Sequence, residues 1–173
     1  MVPGVVRLPS AVVPDSYWVT ELFSAGEYPG ALSEERAAQQ IQAFEAAGIR
    51  LFVDLTHPAD GLEPYEQLLT SGRRSPHPIV DMSIPTELEM AAVLDEIDTA
   101  HSSAERVYVH CWGGCGRTGV AVGCWLVRHG IGSGEAIELI RERRSVTPDF
   151  RKKPDSPMTQ EQQAFVHSWP SGH

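Results

Sequence analysis

Apolar and polar residues alternate with two different periods along this chain, and the two periods separate predicted strands from predicted helices. A period of two, with every second side chain apolar, is typical of a half-buried strand. Between 57 and 75, prolines and glycines interrupt both periods, and we expect a long loop there with one short helix at 65–69. The predicted strands and extended segments cover 17–23, 50–55, 78–84 and 106–110.

Apolar residues three and four positions apart predict helices between these strands and after the last one. The segment at 120–127 is mostly apolar and predicts a buried helix. Residues whose side chains can cap a helix mark the other predicted starts, at Ser33, Thr86, Ser133 and Thr159. Strands that alternate with helices predict an α/β fold, with one domain over 1–173 and a central mixed, mostly parallel sheet flanked by helices.

The segment His110-Cys-Trp-Gly-Gly-Cys-Gly-Arg-Thr-Gly119 lies between the last predicted strand and the buried helix. Its glycines allow the backbone to curl until successive amides point into one concavity at the helix start, where an anion is favoured. The guanidinium of Arg117 can hold two phosphate oxygens, and the same positive environment favours the thiolate of Cys111. We therefore predict a phosphate loop, residues 111–117, whose phosphate-binding residues are Trp112, Gly113, Gly114, Cys115, Gly116 and Arg117.

This segment resembles the signature of the protein tyrosine phosphatase superfamily, which is His-Cys, five residues, Arg and then Ser or Thr, and it is most similar to the dual-specificity members. The resemblance assigns the following roles: nucleophile to Cys111, phosphate binding to Arg117, stabilisation of the leaving thiolate to Thr118, and tuning of the loop by hydrogen bonds to His110. Members of the family carry an upstream aspartate as general acid in a loop with a following proline. The segment Pro78-Ile-Val-Asp81-Met-Ser-Ile-Pro85 is similar to that loop, so the resemblance implies that Asp81 is the acid.

The implied reaction has two steps and needs no metal and no organic cofactor. Cys111 attacks phosphorus while Asp81 protonates the leaving oxygen, and water then hydrolyses the cysteinyl phosphate. In tyrosine-specific members a Gln-Thr-x-x-Gln segment orients this water. Here Met158-Thr-Gln-Glu-Gln162 keeps only the second glutamine, so Gln162 either orients water or only forms a capping box with Thr159. Asp54, at the end of a predicted strand, is a rival candidate for the acid.

Composition restricts the partners and the compartment. The chain has 14 basic and 23 acidic residues, a formal net charge of −9, which disfavours nucleic acid and anionic membranes. Its three cysteines, Cys111, Cys115 and Cys124, form a poor disulfide framework and indicate a reducing compartment. We therefore expect a cytoplasmic monomer. Oxidation of Cys111 to a disulfide with one of the other two cysteines is a hypothesis at this stage.

The expected substrate is a phosphorylated protein or a small phosphomonoester. Trp112 and Cys115 stand where phosphoinositide-directed relatives often place lysines, and no Asn-Arg-Tyr recognition loop like that of tyrosine-specific members is found. The resemblance therefore favours a shallow pocket for phosphotyrosine, with phosphoserine and phosphothreonine as further substrates. The basic residues at 143–144 and 151–153 are interpreted as solvated surface, with docking of an acidic substrate as the alternative.

Two other interpretations of the loop remain open, and two more are disfavoured. A catalytically weak module that binds phosphorylated partners would use the same residues, and a rhodanese-type sulfurtransferase also places a cysteine in an anion-binding loop. Zinc ligation by the cysteines and nearby histidines lacks a Cys-x-x-Cys pair. The Gly-x-Gly-x-x-Gly pattern at 114–119 matches a dinucleotide fingerprint, but a second helix follows at 133–144 where that fold needs a strand.

Overall fold

The computed structural model describes residues 8–31 and 33–172, which form one α/β domain. The strands are β1 Ser16–Trp18, β2 Phe23–Gly26, β3 Ile49–Asp54, β4 Arg73–Pro76 and β5 Arg106–His110. The helices are α1 Glu34–Ala46, α2 Glu87–Ser102, α3 Gly116–Arg128, α4 Ser133–Arg144 and α5 Gln160–Ser168, and short 3-10 helices cover Pro58–Asp60 and Glu66–Leu68. Among the described helices, none has both the length and the apolar character that crossing a membrane requires.

The five strands form one sheet in the order β1-β2-β5-β3-β4. Only β1 pairs antiparallel with its neighbour, and the other pairs are parallel, which confirms the predicted mixed, mostly parallel sheet. Gly26, His110 and Asp54, the last residues of β2, β5 and β3, lie in register across the sheet. The carboxyl ends of the central strands therefore meet at one edge, where α/β folds usually bind their ligands.

Alternate residues of the central strands face two separate clusters of buried side chains. Val107 and Val109 belong to the larger cluster, which also contains residues of α2, α3, α4 and α5. Tyr108 belongs to the smaller cluster, beside Phe44 of α1 and Phe52 of β3. Because a strand places successive side chains on opposite faces, β5 is buried on both sides and holds the chain that follows it firmly in place.

Three of the four predicted helix caps are confirmed. Ser33 accepts a hydrogen bond from the backbone of Arg36, and both Thr86 and Thr159 form capping boxes. The prediction for Ser133 is wrong, because α4 starts at that residue, Gly132 takes the cap position without a side-chain bond, and the Ser133 hydroxyl contacts His167 Nδ1 at 2.9 Å. The helix α3 also begins earlier than 120, directly at Gly116.

The strand predictions differ from the structure in three places. The predicted strand 17–23 is divided into β1 and β2 by a turn in which Thr20 Oγ1 accepts hydrogen bonds from two following backbone N–H groups. The segment 78–84 is a loop with a turn at 80–83 rather than an extended strand. Finally, β4 begins inside the predicted loop 57–75 and ends one residue beyond it. Its sequence Arg-Arg-Ser-Pro has no apolar alternation, so its conformation comes from pairing with β3.

Candidate active site

The phosphate loop connects the buried end of β5 to the first turn of α3, as the sequence predicted. Gly114 has a positive φ of 67°, and a Cβ atom there would lie 2.5 Å from the carbonyl carbon of Gly26 at the end of β2. No side chain fits at such a distance, so a glycine is required where the loop passes β2. Cys111 is buried at the start of the loop, directly after β5.

The guanidinium of Arg117 is buried and joins the phosphate loop to two upstream loops. Its Nη1 donates to Asp60 Oδ2 at 2.7 Å and to the carbonyl oxygen of Ile79 at 2.9 Å. Its Nη2 lies 3.1 Å from Asp81 Oδ1. The structure thus brings the predicted acid, whose side chain is 52% exposed, beside the predicted phosphate-binding arginine.

Asp60 belongs to the site although the sequence analysis did not identify it. Its carboxylate accepts from the His57 backbone as well as from Arg117, and it caps the 3-10 helix Pro58–Asp60. These bonds leave Asp60 buried and fixed, whereas Asp81 is half exposed and has the solvent access that proton exchange needs. The available signal was an acid six residues beyond the end of a strand that ends at the same sheet edge as β5.

His110 is completely buried beneath the phosphate loop. Burial lowers the pKa of its imidazole to about 4, with a smaller opposing effect from Asp54, so the ring is neutral at pH 7. The hydroxyl of Tyr65 lies 2.7 Å from His110 Nε2, and burial raises the pKa of Tyr65 well above its usual value. Tyr65 therefore keeps its proton, and the two neutral side chains share a hydrogen bond whose direction depends on the tautomer of His110.

The rival acid Asp54 occupies a supporting position. Its Oδ1 lies 3.8 Å from His110 Nδ1, which is too far for a hydrogen bond. The same carboxylate accepts hydrogen bonds from the Thr56 hydroxyl at 2.6 Å and from Arg74 Nε at 2.8 Å. A buried carboxylate with these donors is well stabilised as an anion, so Asp54 is poorly suited to proton donation.

Gln162 lies between the two loops that carry Asp81 and Cys111. Its Oε1 accepts from the backbone N–H groups of Met158 and Thr159, which is the capping-box arrangement, and its Nε2 donates to the carbonyl oxygen of Ser83 at 3.1 Å. A Cβ atom on Gly116 would lie 3.0 Å from Nε2, so the amide packs directly on the phosphate loop. Gln162 therefore does more than cap α5.

Thr118 is fully buried at the start of α3, and its hydroxyl has no hydrogen-bond partner within residues 8–31 and 33–172. A buried hydroxyl without a partner costs free energy, which favours a functional contact for Thr118 over a purely structural one. A hydrogen bond from this hydroxyl to the leaving thiolate of Cys111 stays a prediction.

The second cysteine of the loop is held by a buried arginine. Arg144 Nη2 donates to Cys115 Sγ at 2.8 Å, and Sγ itself lies 3.1 Å from the carbonyl oxygen of Gly113. Burial raises the pKa of Cys115 to about 11, although Arg144 acts in the opposite direction, so it is a thiol at pH 7. Cys124 lies in the core, where burial raises its pKa further. All three cysteines are free.

An open groove of about 330 Å³ runs beside the loop. The groove is lined by Trp112, which is 52% exposed. Glu27 and Tyr28 after β2 and Leu62 and Glu63 after the first 3-10 helix also line it. In the described part of the chain, no group of three or more His, Cys, Asp or Glu residues is arranged to hold a metal ion.

A mixed, mostly parallel sheet flanked by helices, with a Cys-x5-Arg loop at its carboxyl edge, is typical of the class of tyrosine and dual-specificity phosphatases. The family model described as "Swiss Army Knife protein, DSP-PTPase phosphatase domain" matches residues 28–166, and the chain belongs to this family.

The curated relatives either have low sequence identity over most of this chain or match only part of it. The chain is 27% identical over 164 residues to "Putative tyrosine phosphatase 067L" of Invertebrate iridescent virus 3, which covers 89% of this chain and 64% of the viral protein. It is 41% identical over 66 residues to an uncharacterised protein of Methanocaldococcus jannaschii, covering 38% of this chain and 40% of that protein. The chain therefore spans less than two thirds of the length of either relative.

Solved structures show the same fold. The active form of Tk-PTP superimposes with a TM-score of 0.71 at 20% identity, covering 88% of this chain and 94% of that one. TpbA of P. aeruginosa, in complex with pTyr, has a TM-score of 0.66 at 16% identity and covers 90% and 84%. PTPMT1, in complex with PI(5)P, has a TM-score of 0.68 at 15% identity and covers 90% and 94%.

Proposed function

We propose that this protein is a cysteine-dependent phosphomonoester hydrolase that removes phosphate from phosphotyrosine in proteins, and more slowly from phosphoserine and phosphothreonine. The observation that carries the proposal is the contact between Arg117 of the phosphate loop and Asp81 of the upstream loop. This contact supports a site in which an anion-binding group and a solvent-accessible acid lie together near the sheet edge where β5 ends and Cys111 follows. A module that only binds phosphate would have no use for the acid.

In the first step the thiolate of Cys111 attacks phosphorus. The S–P bond forms while the bond from phosphorus to the substrate oxygen breaks, and the proton of the Asp81 carboxylic acid goes to that oxygen. The amides of the phosphate loop and the guanidinium of Arg117 stabilise the charge on the three other oxygens. The half-exposed Asp81 can leave Arg117 when phosphate oxygens take its place on the guanidinium.

In the second step the Asp81 carboxylate takes a proton from water, whose oxygen attacks phosphorus as the S–P bond breaks. The free hydroxyl of Thr118 supplies a hydrogen bond to the departing thiolate of Cys111. Gln162 uses one N–H for Ser83 and has a second one available for the water. The same contacts hold the Asp81 loop against the phosphate loop.

The substrate class follows from the groove and the loop composition. Trp112 and Tyr28 offer aromatic surface beside the phosphate loop for an aryl phosphate and its peptide. The pTyr complex of TpbA and the name of the viral relative support phosphotyrosine, whereas the PI(5)P complex of PTPMT1 is the precedent for a lipid. The loop itself carries no lysine, and the net charge of −9 opposes an anionic membrane, so we favour phosphoproteins.

We also propose that the protein acts as a cytoplasmic monomer without nucleic acid, metal or organic cofactor. The free thiols support a reducing compartment, and the acidic surface supports the absence of polyanionic partners.

The experiment that tests the function compares the wild type with Cys111→Ser on an aryl phosphate and on a phosphotyrosine peptide. The variant should release no phosphate while it still binds the peptide. Its matched control is Cys124→Ser, a cysteine of the core. Peptide binding without Cys111-dependent release by the wild type would favour the binding module, and sulfur transfer from thiosulfate to cyanide would favour the sulfurtransferase.

The role of Asp81 is tested by the leaving group. Asp81→Asn should slow the phosphotyrosine and phosphoserine substrates far more than an activated aryl phosphate, because only poor leaving groups need a proton. Asp54→Asn is the control, because it removes a nearby carboxylate that is not expected to donate the proton. Equal losses for all substrates would assign the proton to another group.

A further inference from the structure

Lys153 lies over the phosphate loop although it is 36 residues beyond Arg117. Its Nζ atom is 3.6 Å from the position that a Cβ on Gly113 would occupy. Lys153 is exposed, so its ammonium group is at the solvent-facing rim of the loop and not beneath it. Lys152 and Lys153 are the only lysines of the chain, and within the described residues Lys153 has no ion pair.

The backbone that carries this lysine is fixed to the loop. Arg144, which is buried, donates through Nη1 to the carbonyl oxygens of Lys153 at 3.0 Å and Pro154 at 3.4 Å, and through Nη2 to Cys115. The hydroxyl of Ser156 donates to the carbonyl oxygen of Cys115 at 2.7 Å. These bonds bring residues 153–156 against the loop, so the lysine side chain starts from a defined position.

Two other cations beside the loop, Arg117 and Arg144, are already engaged. Arg117 contacts two carboxylates, and Arg144 is buried among carbonyl oxygens and Cys115. The acids coupled to this region are Asp15, Glu27 and Asp149. Burial, together with Asp15 and Asp149, raises the pKa of Glu27 to about 7, so Glu27 carries only part of a negative charge at pH 7. Lys153 acts on the Glu27 carboxyl group but forms no ion pair within the described residues, so its ammonium group is available at the rim.

We propose that Lys153 determines specificity by binding a second anionic group, a carboxylate or a phosphate, on the residue next to the phosphotyrosine. This inference rests on the proposed function and deepens it. The absence of loop lysines at positions 112 and 115 is compensated by one lysine from a distant segment, which serves one further anion. The groove beside Trp112 accommodates the rest of the peptide.

The test measures binding to Cys111→Ser protein, so that hydrolysis is not needed. The probes are three phosphotyrosine peptides, with neutral neighbours, with a neighbouring glutamate and with a neighbouring phosphoserine. The acidic peptides should bind about five-fold tighter than the neutral one, as expected for one partly exposed ion pair. Lys153→Ala should abolish this preference, Lys153→Arg should retain it, and raised salt should reduce it.

The matched control is Lys152→Ala, which removes the neighbouring lysine and should leave the preference intact. Equal effects of the two alanine variants would mean a general charge effect and would overturn the proposal. So would an unchanged preference in Lys153→Ala, or Lys153-dependent binding to phosphoinositide vesicles that exceeds binding to every peptide. Wild-type protein that releases no phosphate would refute the proposed hydrolysis, but a Lys153-dependent preference would still establish the anion subsite.

Discussion

The carboxyl group of Glu27 lies in surroundings that disfavour its charged form. Burial is the largest cause of its raised pKa, the carboxylates of Asp15 and Asp149 add to it, and Lys153 and Arg144 act in the opposite direction. The ordinary value is 4.5, and the value in the fold is about 7. The folded protein therefore binds this proton more tightly than the unfolded chain does, so Glu27 reduces stability as pH rises from about 4.5 to 7.

We predict that Glu27→Gln removes this pH dependence. The unfolding free energy of the wild type should fall relative to that of the variant by on the order of 1 to 2 kcal/mol between pH 4.5 and 8, after allowance for the half exposure of the side chain. Denaturant unfolding across this pH range measures the difference. Glu63→Gln, an exposed acid of the same groove, is the control, and parallel curves for the wild type and Glu27→Gln would contradict the prediction.

Arg144 is a second residue whose importance lies in its contacts. A lysine at this position has no fork with which to bond the carbonyl oxygens of Lys153 and Pro154 and Cys115 at the same time. We predict that Arg144→Lys lowers the unfolding free energy by roughly 1 to 3 kcal/mol, because buried acceptors lose their donor. Arg141→Lys, on the exposed face of α4, is the control. If thermal and denaturant unfolding find both variants equally stable, the contacts of Arg144 do not contribute.

Residue types, spacing and the resemblance to the phosphatase family named Cys111, Arg117 and Asp81 as candidates, and the structure brings the last two into contact. They were not sufficient for Asp60 or for Arg144. Each of these residues contacts a segment far away in the chain. Asp60 contacts the guanidinium of Arg117, which was already assigned to phosphate, and Arg144 contacts the thiol of Cys115 and two carbonyl oxygens. No periodicity or local motif carries that information.

At the scale of elements, the phosphate loop depends on its fit against the end of β2. Gly114 meets two conditions together, a positive φ and a backbone approach that leaves no room for Cβ. The loop can therefore keep its curl only if position 114 is glycine.

We predict that Gly114→Ala displaces the loop from β2. Phosphopeptide binding and phosphate release should both fall by at least ten-fold, because the methyl group must move either the loop or Gly26. Isothermal titration and steady-state kinetics measure the two losses. Gly134→Ala, at a position in α4 where a Cβ meets no atom within 4 Å, is the control for adding a methyl group. Normal binding by Gly114→Ala would show that the loop tolerates another path past β2.

Elements with their own local signals were predicted well, and elements without them were not. The capping boxes at Thr86 and Thr159 and the alternation of β5 are local, so α2, α5 and β5 could be located from sequence. The strand β4 was missed because its side chains are polar and half exposed, and its partner β3 determines its conformation. The segment 78–84 was predicted to be extended, but no strand pairs with it, and a turn forms instead.

At the scale of the whole molecule, stability is distributed unevenly between the sheet and the loops that surround the site. The strands β3 and β5 each pair on both sides and are buried on both faces. By contrast, the loops after β3 and β4 that supply Asp60 and Asp81 contain much exposed backbone and little secondary structure. The site thus joins a rigid half, the phosphate loop, to a more open half.

We predict that native-state hydrogen exchange reports this division. Amides of 50–54 and 107–110 should exchange only through global unfolding, and those of 80–85 should exchange through local opening at a free energy several kcal/mol lower. Mass spectrometry of peptides from the two regions measures the difference. The amides within α2 provide the internal reference for a packed helix. Equal protection of 80–85 and β5 would contradict the division.

Residues that follow the phosphate loop in the chain hold it in its conformation, so the ten-residue signature alone does not determine the shape of the loop. Position 115 is bonded by Arg144 and Ser156, and Gly119 packs against Pro157 with no space for a side chain. A fragment that stopped after α3 would contain every letter of the signature and none of this support. If the ten-residue segment were placed between a strand and a helix of another protein, it would carry the candidate catalytic residues. It would not carry the contacts that hold the loop in its conformation.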